Sequence, residues 1–284
     1  DFDQIPDFWY FSDKRQEIQS FAKGENLPKR LFSLATVFET LTYGRSGESK
    51  FPFDIEINKS IAQLDEMSLA ALQILHQNPE GFFLMIEGGA IDWAGHDNNL
   101  VRLIEEQILF ENAVQAVIDW INKKDLWSET LLIVVADHET GYLMGDWSSE
   151  NGFVDIVNKG KSNLPEAKFF SDNHTNHLVP FFAKGKNSEV FKYFAKNYDP
   201  KRNYFLDITD IALFAKLAWP ANISVYPEII SNSIGSKQTI YVASPEPGLS
   251  FEWYKNGIKI PGENSYKLEI MVEEGSEYFV IAKN

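Results

Sequence analysis

Three of the five histidines in this 284-residue chain stand beside apolar runs, two of them after carboxylates. Glu87-Gly-Gly-Ala-Ile-Asp92-Trp-Ala-Gly-His96 follows the run Phe82–Ile86, Asp137-His138 follows Leu131–Ala136, and His174 precedes Leu178–Ala183. Four residues separate Asp92 from His96, so on one helical turn both could face the same ion. Glu87, at a strand tip, could reach a neighbouring ion. Asp137 and His138 are adjacent, which on an extended chain would point them apart; a tight turn after the strand could let both converge. The chain has no cysteine, which leaves only His and carboxylate ligands. That donor set suits a catalytic zinc better than a structural one, and a carboxylate-rich neighbour suits magnesium. Two or more such ions close together clamp the attacking and leaving oxygens of a phosphoryl transfer.

Taken singly, an Asp or His at a strand end is ordinarily a solvated loop residue or a cap. The repetition of the pattern at three apolar runs reverses that weighting. His76, among Leu72 and Leu75 on a helix, reads as structural, and His177, near His174, is open between the site and its surroundings. Glu105-Glu106 reads as a solvated helix face, and Phe8 to Phe11 as a locally packed aromatic run. Asn173-His174-Thr175 matches a glycosylation sequon, but His174 is taken as a ligand.

The elements that must position these residues form two unequal parts. Residues 1 to about 60 are irregular and look like a lid or subdomain. Ser60 with Gln63 reads as a capping box opening a helix with Ile61, Leu64, Ala71, Leu72 and Leu75 on its stripe, closed before Asn78-Pro79. A strand at Phe82–Ile86, an amphipathic helix from about Asn99 to Asn122 and a strand at Leu131–Ala136 follow. Strands alternating with helices predict a parallel sheet covered on both faces, with the chemistry beyond the carboxyl ends of the strands. Leu178–Ala183, containing Pro180, reads as an edge strand, and Asp207 or Thr209 as the cap of a last helix, Ile211 to Ala218, stopped by Trp219-Pro220. From about Ala221, four short β-rich runs predict a small all-β sandwich.

Composition bounds the rest. An apolar fraction of 44% and a charged fraction of 24% are those of a globular protein. A net charge of −15 excludes a general nucleic-acid or anionic-membrane binder, which needs a basic face. No apolar run approaches the roughly 18 residues that span a membrane. The chain opens at Asp1 without a signal segment and is expected to be processed or a piece of something longer.

Glu87 through His96, Ala136-Asp137-His138-Glu139-Thr140-Gly141, and His174-Thr175 followed by Val179-Pro180 resemble, in order, the three C-terminal metal motifs of alkaline phosphatases. The similarity covers about residues 27 to 218. It implies a three-layer α/β sandwich with a mainly parallel sheet, and hydrolysis of phosphomonoesters through a phosphoserine with two zinc ions and one magnesium. Asp92, His96 and His174 would hold one zinc, Asp137 and His138 the second, and Glu87 the magnesium. The resemblance also implies a periplasmic or secreted location, a possible homodimer, phosphomonoester substrates and no nucleic-acid partner. Residues 222 to 284 are similar to an immunoglobulin-like module, with Phe251-Glu-Trp253-Tyr-Lys-Asn-Gly257 resembling its tryptophan-bearing strand and turn.

The family also carries an early strand with a bridging Asp, an Asp-Ser-Ala segment with the nucleophile, a Thr or Ser magnesium ligand and a phosphate-gripping Arg. The chain contains no Asp-Ser dipeptide, and none of the four parts can be assigned. Residues 1–220 are therefore expected to be the C-terminal portion of such a catalytic domain and 221–284 a β module, possibly clipped after Asn284. Such a chain would supply most metal ligands without the attacking group. The alternative is a non-catalytic fragment whose β module binds a surface or carbohydrate partner. A related phosphodiesterase or phosphomutase is a third reading, which the motif at Glu87–His96 disfavours. A parallel sheet lacking central strands is also expected to leave apolar edges unpaired.

Overall fold

The computed structural model describes residues 9–146, 154–218, 224–226, 233–243 and 249–283. Phe8, the helix stop at Trp219-Pro220 and the chain end at Asn284 lie outside the described residues. The chain divides into two compact units, Asp1–Phe182 and Ala183–Asn284.

In the first unit a short parallel pair, β1 (Tyr10–Ser12) and β2 (Leu31–Ser33), flanks α1 (Arg15–Ala22). Ile18 and Phe21, three residues apart, put one apolar stripe of α1 against Ala70 and Ile74 of α2 (Leu64–Leu75). Arg15 and Gln19 both donate to Glu66, at 2.9 and 2.7 Å, and tie the two helices at their polar margin. Residues 15–22 are thus built into the core, not a lid. Tyr10 meets Phe21 edge-on, centroids 5.6 Å apart, in keeping with local packing of that aromatic run.

The opposite side of α2 packs through Leu72 onto Val117, Trp120 and Ile121 of α4 (Leu100–Lys124), and Leu84, Ile86 and Leu132 join the same cluster. Asn99 caps α4 by accepting the Arg102 N–H at 3.0 Å, and the helix ends on Asp125 in the left-handed region. α2 begins three residues later than expected. Ser60 is engaged with Asn58, and it is Glu66 that accepts the Gln63 N–H, at 3.0 Å, so the capping interaction sits one turn downstream.

Phe82–Ile86, expected as a strand, has no ladder partner among the described residues. Its side chains keep the alternation of an extended chain: Leu84 and Ile86 face the helices, while Phe83 and Met85 are 68% and 78% exposed. The apolar character of both faces is that of a strand covered on both sides, and here only one side is covered. β3 (Leu131–Val135) matches expectation to within one residue. Two short strands follow, β4 (Glu139–Thr140) and β5 (His174–Thr175), paired antiparallel. The expected continuous parallel sheet is absent from the described residues, whose largest sheets hold three strands.

Glu105 and Glu106 are not a solvated face. Glu105 is fully buried and Glu106 nearly so. Burial is made tolerable by partners: Glu105 accepts from Arg45 at 2.5 Å, from Arg102 at 2.9 Å and from the Phe53 N–H at 2.6 Å, and Glu106 accepts from Thr42 at 3.4 Å. Burial pushes the Glu106 carboxyl above the usual range, with Arg45 opposing it.

β6 (Phe181–Gly185) begins just after Pro180, which therefore stands before the strand. In the second unit α5 (Phe191–Phe194) is followed by a hairpin of β7 (Asn197–Asp199) and β8 (Asn203–Phe205). α6 (Ile208–Ala218) starts three residues earlier than expected because Asp207 accepts the Thr209 N–H at 2.9 Å while Asp210 accepts the Asp207 N–H at 2.9 Å. The remaining strands form two three-stranded sheets. One contains β9 (Ser224–Tyr226), β10 (Lys237–Ala243) and β13 (Lys267–Met271); the other contains β11 (Ser250–Lys255), β12 (Ile258–Lys259) and β14 (Tyr278–Lys283). Alternate residues of both sheets, Ile240, Val242, Leu268 and Ile270 from one and Phe251 and Trp253 from the other, make a single core. Trp253 is wholly buried and donates its indole N–H to the Ser265 carbonyl at 2.8 Å. Trp253→Ala is expected to destabilise this sandwich by about 3–5 kcal/mol. Urea unfolding followed by intrinsic fluorescence and circular dichroism would measure it, and a loss under about 1 kcal/mol would mean the tryptophan is not the centre of that core.

Candidate metal centre

α3 (Ala90–His96) is a seven-residue helix whose buried side is Ala90, Ala94 and Gly95, and its small residues let it lie close to its neighbours. One helical turn places Asp92 and His96 on a common face. The ring of His96 is oriented from behind: its Nδ1 lies 2.6 Å from the Asp172 carbonyl oxygen. A carbonyl can only accept, so Nδ1 carries a proton and Nε2 is the ring atom turned toward Asp92.

The β4–β5 pair brings in the other two histidines. Its register sets Thr140 opposite His174 and Glu139 opposite Thr175, which places His138, just before β4, beside His174. The rings of His138 and His174 stack with centroids 3.5 Å apart. Helix and hairpin meet at glycines. A Cβ on Gly95 would stand 3.0 Å from Thr140, and one on Gly141 would stand 2.9 Å from the Gly95 carbonyl oxygen at a backbone φ of +90°. Only glycine at both positions allows α3 to approach β4 this closely.

Asp92 Oδ1 is 3.2 Å from His174 Nε2 and 3.5 Å from His96 Nε2, and the two Nε2 atoms are 3.0 Å apart. A tetrahedral ion with bonds near 2.0–2.1 Å separates its ligands by about 3.3 Å, so this triangle has the size of one zinc face. Asp92, His138 and His174 also offer ligand atoms all within 4.8 Å of one another. The carboxylate and the two ring nitrogens turned toward one point could hold a cation, and His and carboxylate donors are of the kind that bind zinc. Thr140 braces the carboxylate: its hydroxyl donates to Asp92 Oδ1 at 2.5 Å and lies 3.2 Å from His138 Nδ1. Such outer partners fix the orientation of ligand side chains.

Four of the six expected ligands therefore come together: Asp92, His96, His138 and His174. Asp137 is adjacent, its exposed carboxylate 3.3 Å from His138 Nε2. Glu87 is exposed on the segment before α3 and is not among the converging side chains. His177 packs edge-on against Tyr142, ring centroids 5.0 Å apart, and His76 packs on Trp120 at 5.1 Å, the structural role expected of it. Thr140, Gly95, Gly141 and the Asp172 carbonyl were not singled out by sequence. Three of them lie inside the quoted motifs, where two glycines and a hydroxyl beside the ligands are a signal of close backbone approach and carboxylate support.

Comparison with known proteins gives one family. The family model described as "Alkaline phosphatase" matches residues 39–205. Alkaline phosphatase 3 of Bacillus subtilis is 40% identical over 119 residues, 42% of this chain and 25% of that protein. Alkaline phosphatase 4 of the same organism is 49% identical over 78 residues, 28% of this chain and 16% of that protein. Repressible alkaline phosphatase of Saccharomyces cerevisiae is 32% identical over 146 residues, 48% of this chain and 23% of that protein. The matched stretches thus span a quarter or less of these relatives' length. Among solved structures, alkaline phosphatase from the Antarctic bacterium TAB5 aligns with a TM-score of 0.45 at 28% identity, covering 64% of this chain and 47% of that one.

Proposed function

Because the chain belongs to the alkaline phosphatase family, its match running through residues 39–205, we propose that it forms the metal-binding part of a phosphomonoester hydrolase. Asp92, His96 and His174 hold one zinc, Asp137 and His138 a second, and Glu87 a magnesium. The observation that carries this reading is the triangle of Asp92 Oδ1 and the Nε2 atoms of His96 and His174, with sides of 3.0 to 3.5 Å. When bound, the ions supply positive charge to the attacking and leaving oxygens of phosphate-ester cleavage.

The chain's own residues prepare that site. His96 keeps its proton on Nδ1 through the Asp172 carbonyl and presents Nε2. Thr140 fixes the carboxylate of Asp92, so the ligand is oriented before any ion enters. The attacking serine of the family is taken to come from outside these 284 residues, which contain no Asp-Ser dipeptide, and no arginine of the chain is assigned to the phosphate. In this reading residues 1–220 are catalytic-domain sequence and 221–284 an immunoglobulin-like module, and the whole protein is periplasmic or secreted and able to form a homodimer. The exposed apolar face at Phe83 and Met85 is where the rest of the catalytic sheet lies.

The test is hydrolysis of para-nitrophenyl phosphate in zinc and magnesium. The chain by itself is expected to bind zinc, more weakly than the whole protein, and to turn over at the background rate. Clear turnover abolished by Asp92→Ala would place a nucleophile within the chain and overturn the division of labour proposed here.

A further inference from the structure

What holds the short helix α3 in register is not obvious from its own sequence, since seven residues are far below the length at which a helix is stable alone. Its N-terminal end follows two glycines. Its C-terminal end carries His96 and closes on Asp97, and there a side chain from a distant segment grips it. The hydroxyl of Tyr43 donates to the Asp97 carboxylate in a short hydrogen bond and lies 3.4 Å from the Trp93 carbonyl oxygen. Its ring stands edge-on to Trp93, centroids 6.0 Å apart. One side chain thus touches the helix one residue after Asp92 and one residue after His96.

Tyr43 belongs to an irregular segment that would have little reason to stay in place by itself. It is anchored by the buried acid on α4. Arg45, two residues along, donates to Glu105 at 2.5 Å and back to the Thr42 carbonyl at 2.9 Å, and the Phe53 N–H closes the other end of the loop onto Glu105 at 2.6 Å. The chain of contacts runs from the buried carboxylate on α4 through the loop to the metal-facing helix.

We infer that Tyr43, acting through Asp97, is a positioning residue for the metal site, setting the angle of α3 and so the spacing of Asp92 and His96. This rests on the metal reading given above. Burial, and next the hydrogen bond to Asp97, push the Tyr43 phenol well above its ordinary range, so the hydroxyl remains a donor under alkaline conditions. Tyr43→Phe keeps the ring on Trp93 and removes only the donor; Asp97→Ala removes the acceptor at an exposed position where folding is not at stake.

The experiment measures zinc affinity of the full chain by competition with a chelating dye, for the unaltered protein, the two variants and the double variant. Thermal melting and the visible spectrum of the cobalt(II)-loaded chain accompany it. Each single variant is expected to weaken zinc about tenfold and alter the cobalt spectrum, with the melting temperature moving by less than about 2 °C. The double variant should be no weaker than either single one, because the two groups act as one contact. Unchanged affinity in Tyr43→Phe, or effects that simply add, would overturn the inference. Absence of zinc binding by the unaltered chain would overturn the metal centre itself and the positioning role with it.

Discussion

Glu105→Ala is expected to destabilise the first unit by about 3–5 kcal/mol, one of the largest effects of any single substitution in the chain. The carboxylate is fully buried and is the common acceptor for Arg45, Arg102 and the Phe53 N–H. Removing it takes from a buried Arg102 and a largely buried Arg45 the carboxylate they bond, leaving Glu106, whose ionised form burial disfavours, to balance them, and a buried charge stripped of its partner is far more expensive than the pair is worth. Glu105→Gln keeps the shape and one acceptor oxygen, so its loss should be smaller, though still more than a surface change. Urea unfolding followed by circular dichroism reads both. A loss below about 1 kcal/mol for Glu105→Ala would show that water reaches the cluster and that the loop around Arg45 does not depend on it.

Asp92→Ala is expected to weaken zinc binding by well over 100-fold, a larger loss than removal of an outer partner causes. Asp92 Oδ1 is the anionic corner of the triangle with His96 and His174 and the acceptor for Thr140. Without it the remaining ligands are neutral imidazoles that could hold an ion only weakly. Thr140→Val should do less, about tenfold, because the carboxylate stays and only its orientation is freed. Equilibrium dialysis with metal analysis distinguishes the two. Equal losses would mean Thr140 matters as much as the ligand it supports.

The parts of the molecule legible in sequence are those governed by local rules. The start of α4 near Asn99, the apolar strip of β3, the Asp207 cap and the alternating runs around Trp253 all follow from period and cap chemistry, and each is observed within a few residues of its expected place. The misreadings come from tertiary context. Glu105-Glu106 has the composition of a solvated face and is buried, because its partner Arg45 lies 60 residues away in sequence, with Arg102 one turn before it. Phe82–Ile86 has the composition of a central strand, but a ladder needs a partner that composition cannot supply. At the site, Asp92, His96, His138 and His174 could be picked out by residue type and spacing. The grouping of His138 with His174 could not, since it depends on the register that sets Thr140 against His174. Tyr43 carried no signal at all: its role comes from the loop geometry imposed by Glu105.

The proposed function stands on one zinc held by Asp92, His96 and His174, with a second on Asp137 and His138. Its most direct test is a zinc titration of the full chain followed by metal analysis after gel filtration. Retention of at least one zinc per chain, lost when Asp92, His96 and His174 are replaced together by alanine, is the predicted result. A chain that emerges without zinc, or a triple variant that retains as much as the unaltered protein, would contradict it.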